Sequence, residues 1–115
     1  DITFPDNKLK RICSEEKWGI RQLGPRCAKI LRTRMADLQA AVFLEDLRFL
    51  PGRYHELREN RAGRISVDLE HPYRLLFVPA NEPIPLKADG ALDWSRVTAV
   101  HIIEIEDTHN RKNRR

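Results

Sequence analysis

The feature that most limits what this chain can fold into is a change of hydrophobic period at Pro51-Gly52. Before it, Cys27, Ile30, Leu31, Met35, Leu38, Ala41 and Val42 recur at three- and four-residue steps, the spacing of one face of an α-helix. After it, Ile65, Val67 and Leu69 alternate with Arg64, Ser66 and Asp68, the period of a strand with one buried face. Helices first and strands afterwards predict an α+β domain, a twisted antiparallel sheet with N-terminal helices packed on one face. At 115 residues the chain is read as one domain, residues 1–115, able to bury a core without disulfide or metal staples.

Around that division the pattern is filled in by shorter signals. Residues 1–4 suit a first strand, and residues 8–14 a short helix after the Pro5-Asp6-Asn7 turn. Gly24-Pro25 opens the long helix, because proline is tolerated where the first-turn N–H has no partner. Leu44, Leu47 and Leu50 suggest a further short helix ended by Pro51-Gly52. Strands are expected over residues 54–58, 64–69, 73–78 and 97–106, the last apolar enough to be central and covered on both sides. The proline-rich stretch between residues 79 and 94 reads as a long connection between strands rather than a linker.

The formal net charge of +4 comes from four residues of a basic tail, Arg111, Lys112, Arg114 and Arg115, within residues 110–115. The remaining 17 basic and 17 acidic residues cancel, but they are segregated. Lys17, Arg21, Arg26, Lys29, Arg32 and Arg34 fall in a stretch with no acid, which suits a polyanion, an acidic protein partner or plain solvent. No apolar run is long enough for a membrane span and no signal-peptide pattern opens the sequence, so the cytoplasm is the expected compartment. Cys13 and Cys27 are too few for a disulfide framework, the four histidines show no metal spacing, and no cofactor is expected.

Metal-free RNA cleavage needs a base for the 2′-OH, an acid for the leaving oxygen and cations for the charge between them. Histidine titrates near neutrality and suits the first two tasks. Arginine suits the third, since its planar fork donates twice to phosphate oxygens. His55 opens one strand, three residues before Arg58. Asp107 and His109 close another and project to the same side if the chain stays extended, so Asp107 can orient the imidazole or simply end the strand with it. Arg74 interrupts the apolar Tyr73-Arg74-Leu75-Leu76-Phe77, where it needs either an ion-pair partner or a function. His71 reads as a surface turn residue, and His101 as a satisfied histidine within the last strand.

These blocks together resemble the HigB-like toxins of the RelE/ParE superfamily, also called plasmid-maintenance killer proteins. Phe4-Pro-Asp-Asn-Lys-Leu-Lys-Arg11 resembles the family's opening strand and lysine-rich first helix, and Ala40-Ala-Val-Phe-Leu-Glu-Asp-Leu47 through Pro51-Gly52 its helix end. Tyr54-His-Glu-Leu-Arg58 followed by Arg61-Ala-Gly-Arg-Ile-Ser66 is similar to its His-x-Leu-Lys and Arg-x-Gly turn. Tyr73-Arg-Leu-Leu-Phe77 is similar to its Trp-Arg-Ile-x-Phe strand, and Ile105-Glu-Asp-Thr-His109 to its closing Asp-Tyr-His. The resemblance implies a toxin of a two-gene toxin–antitoxin module, an endoribonuclease that cuts mRNA codons in the ribosomal A site without a metal. It implies His55, Arg74, Asp107 and His109 as the catalytic set, and Arg58, Arg61 and Arg64 as RNA- or phosphate-binding residues. Its implied partners are a helix-turn-helix antitoxin, the ribosome with its mRNA, and operator DNA only through the antitoxin complex.

Four departures from that pattern are visible. Thr108 stands where an aromatic is usual, Arg58 replaces the commoner lysine, residues 80–96 exceed a tight hairpin, and a basic tail follows His109. Two other expectations stand beside the nuclease. One is a ParE-like inhibitor that poisons gyrase by contact, a branch that generally lacks the acid–base residues. The other is a catalytically decayed member that serves only as antitoxin partner and co-repressor.

Overall fold

The computed structural model describes residues 1–109, so the basic tail from residue 110 onward lies outside the described residues. Strand β1 (Ile2–Thr3) leads into three helices, α1 (Asn7–Ser14), α2 (Glu16–Leu23) and α3 (Pro25–Ala40). A 3₁₀ turn at Leu44–Leu47 precedes β2 (His55–Glu56), β3 (Ile65–Asp68), β4 (Tyr73–Pro79) and β5 (Val100–Asp107). The five strands form one sheet in the order β1-β5-β4-β3-β2. Strands β2 to β5 are antiparallel neighbours, whereas β1 joins the edge of β5 in parallel. The α+β class is therefore as expected, with a mixed sheet in place of a purely antiparallel one.

The helices form for local reasons the sequence carries. Asp6 caps α1 by accepting a hydrogen bond from the Leu9 N–H, and Pro25 sits in the first turn of α3. Cys27, Ala28, Leu31, Met35 and Leu38 are the buried face of α3, and all but Ala28 share one core cluster with Ile65, Val67, Leu75, Phe77 and Ile102 of the sheet. Each such side chain contributes roughly 1.5–3 kcal/mol by leaving water. Helix α2 has no counterpart in the periodicity reading, because only Gly19 is fully buried along it. That glycine marks a close approach, since a Cβ there would lie 3.0 Å from the Ile12 carbonyl oxygen and 3.3 Å from Ala28 Cβ. None of the helices among the described residues is long and apolar enough to cross a membrane.

Strand β5 carries an irregularity that governs the rest of the molecule. Val78 pairs with His101 and Phe77 with Ile102, but Leu76 then pairs with Glu104, so Ile103 is one residue in excess. Such a bulge turns the following side chains over relative to the partner strand. Ile105 consequently packs on the helix side, while Glu104 and Glu106 join Leu76 and Arg74 on the opposite face.

That opposite face is not simply solvated. Ser66, expected on the polar side of a half-buried strand, is fully buried, as are Leu76 and Glu106. The β2–β3 connection, with its 3₁₀ turn at Glu59–Arg61, sends Arg61 to β5 to pair with Glu106. The long connection after β4 is ordered too: Trp94 is buried, donates to Glu56 at 2.9 Å, and is capped by the Arg48 guanidinium 4.0 Å from its ring centre.

Candidate functional site

At the centre of the sheet face away from the helices lies a carboxylate held by two arginines. Glu106 is 2% exposed, and the bulge sets it directly across from Arg74. Arg74 Nε donates to Glu106 Oε1 at 2.6 Å, and Arg61 donates to Oε2 at 2.9 Å. Burial by itself would raise the Glu106 pKa, but the two arginine hydrogen bonds and charges outweigh it and hold the carboxyl below its ordinary value. One anion shared by two cations leaves a net positive charge beneath the surface, with Arg58 exposed and Arg64 half-buried on the adjoining connection. Arg74 is thus tied to the last strand through Nε.

The histidines divide into three environments. His55 accepts no proton from its neighbour: its Nδ1 lies 2.6 Å from the Arg53 carbonyl oxygen, which can only accept. The hydrogen is therefore on Nδ1 and the lone pair of the neutral ring on Nε2. His101 is bonded through Nδ1 to the Thr3 hydroxyl at 2.7 Å and seals the β1–β5 junction, in keeping with a satisfied strand histidine. His71 and His109 face each other, with Nε2 to Nε2 at 3.1 Å.

The strand order sets the spacing between these groups. His55 pairs with Ser66, which pairs with Leu76, which pairs with Glu104. Three steps of about 4.8 Å separate β2 from β5, so the backbones bearing His55 and His109 stand about 14 Å apart or more. The sheet does not bring these two expected acid–base histidines into contact. They lie on opposite sides of the Arg61–Glu106–Arg74 cluster instead.

The neighbour of His109 is His71, which the sequence leaves as an ordinary turn residue. The contact is built by Thr108, whose N–H and hydroxyl both donate to the Pro72 carbonyl, at 2.9 and 2.8 Å. Thr108 thus serves as a clasp between the β3–β4 turn and the end of β5. Asp107 Oδ1 accepts the backbone N–H of His109 at 2.9 Å. The contact of Asp107 with His109 therefore runs to the main chain, and the imidazole nitrogen meets His71.

On the helical side the basic stretch is partly neutralised by acids from elsewhere in the chain. Arg26 pairs with Glu70 and Arg32 with Glu16, while Arg34 donates to the Asp68 carbonyl at 2.9 Å. Cys27 is fully buried on α3, and burial pushes its thiol pKa up. Beside β5 lies an open cleft of about 270 Å³, lined by Leu9, Ile12, Leu23, Tyr73, Ile103 and Ile105 among others. Comparison with known protein families matches none to this chain, and no curated protein is significantly similar to it.

Proposed function

We propose that the chain is a HigB-like toxin of the RelE/ParE type, a ribosome-dependent mRNA endoribonuclease that works without a metal. The observation that carries this reading is the arginine pair, partly neutralised by Glu106, on the sheet face away from the helices, with His109 three residues along the chain from Glu106. In this reading the terminal amines of Arg74 and the guanidinium of Arg61 hold the scissile phosphate, with Glu106 fixing both in place. His109 transfers a proton at one side of the phosphate. His55, its Nε2 lone pair outward, approaches from the β2 side, and Arg58 and Arg64 hold the flanking backbone. The partners that go with it are a helix-turn-helix antitoxin, the ribosome carrying mRNA, and operator DNA reached through the antitoxin complex.

The distance between His55 and His109 favours, as a second reading, a gyrase inhibitor that acts by contact alone. One experiment separates the two. The chain is induced by itself in a bacterium and mRNA 5′ ends are mapped, with the surface variant His109→Gln as control. In-frame cuts inside translated codons that vanish in His109→Gln are the expected result. Growth arrest with intact mRNA and gyrase-linked DNA breaks would overturn the nuclease reading in favour of the second.

A further inference from the structure

We propose that His71 and His109 are a two-imidazole chelating site for a borderline divalent cation such as Zn²⁺, with both Nε2 atoms as ligands. The spacing of the rings is the first argument. Two imidazoles joined by a straight N–H···N hydrogen bond point end to end, which at this nitrogen separation sets their centroids about 5.4 Å apart. The centroids are 4.8 Å apart, with the nitrogens at 3.1 Å and the ring planes at 77°. At least one ring is therefore inclined away from the line that joins the nitrogens, and the two do not aim straight at each other.

A metal about 2.1 Å from each nitrogen, lying on both ring axes with an N–metal–N angle near 95°, requires nitrogens about 3.1 Å and centroids about 4.8 Å apart. Both observed spacings are met by that single position. Imidazole nitrogen is a preferred ligand of zinc, copper and nickel, and less so of magnesium or calcium.

The second argument is preorganisation. Each histidine is the immediate chain neighbour of one partner in the Thr108–Pro72 clasp, and the His109 N–H is held by Asp107. Little backbone ordering is left for the ion to impose. Both rings are exposed, so an ion reaches them from solvent. No group of three or more histidine, cysteine or acidic side chains suited to a metal occurs among the described residues, so the remaining positions fall to water or an anion. His71 and His109 are 38 residues apart, which is why no sequence spacing signals them.

The site rests on ring geometry and stands independently of the nuclease reading. Where that reading also holds, the ion occupies the nitrogen that transfers the proton, and Zn²⁺ becomes an inhibitor. The test is titration of the full chain with ZnCl₂, followed by calorimetry and by side-chain ¹⁵N NMR of the histidines. One equivalent taken up, with Nε2 shifts confined to His71 and His109, is expected. His71→Gln should weaken binding about tenfold or more, and His101→Gln should leave it unchanged. Absence of a saturable first equivalent, or equal affinity in wild type and His71→Gln, overturns the proposal. Zinc binding without RNA cleavage removes only the nuclease reading, and cleavage without zinc binding removes only this one.

Discussion

Replacing Glu106 by glutamine keeps the shape of the side chain and removes its charge, which leaves the Arg61 and Arg74 guanidiniums facing each other across a buried amide. Breaking a buried ion pair from one side typically costs 3–5 kcal/mol, because the remaining charge is stranded. Here Arg61 and Arg74 keep 20% and 14% of their side-chain surface exposed, so water screens part of the repulsion. The low end of that range, about 3 kcal/mol, is expected. For a domain of this size that is a fall in Tm of about 12 °C. Urea unfolding of both proteins at neutral pH, read by circular dichroism, measures it directly.

The same substitution has a signature in acid. The folded carboxyl of Glu106 titrates below the ordinary 4.5, so its stabilisation is complete above that pH and is lost as pH falls through the folded value. The gap between wild type and Glu106→Gln should therefore narrow on acidification below 4.5. A cost under about 1 kcal/mol, the scale of an exposed pair, or a gap constant through the acid range would refute the reasoning.

Three further outcomes follow from other contacts. Gly52 has φ of 115°, and a Cβ there would lie 2.5 Å from Val67 Cγ2 and 2.8 Å from Arg34 Nε, so Gly52→Ala should cost about 3 kcal/mol in a urea titration. Thr108→Val removes one of the two bonds to Pro72 and should cost about 1 kcal/mol, with the His71 and His109 ring resonances broadened by new motion. Burial pushes the Cys13 thiol up to about 12, so alkylation by iodoacetamide at pH 8 should be negligible in the folded chain and rapid in urea; fast folded-state labelling would contradict that burial.

What could be read from the sequence was the part written in local periods. The long helix, its proline start and the four antiparallel strands all announce themselves through spacing. Helix α2 did not, because its contribution is an approach permitted by a missing side chain at Gly19 and not a stripe of apolar residues. The burial of Ser66 was hidden for a similar reason: alternation says which residues share a face, and nothing of what an arginine-bearing loop lays over it. At the candidate site, Arg74 was conspicuous as a charge in an apolar run, and a carboxylate of the last strand was among its foreseeable partners. Which carboxylate was not legible, and the pairing of His71 with His109 depends on a clasp between two turns that no local pattern records.

The extra residue at Ile103 makes β5 a strand with two reading frames. Ile102 and Glu104 have the same parity in the sequence yet belong to opposite sides of the sheet. Deleting Ile103 would make Glu104 the next residue after Ile102, so Leu76, Leu75 and Arg74 would keep Glu104, Ile105 and Glu106 as partners in an unbroken alternation. A slip that draws Ile103 into the ladder is the change that would take the arginine cluster apart: Leu76 would meet Ile103, Arg74 would meet Ile105, and Glu106 would turn to the apolar side with Tyr73.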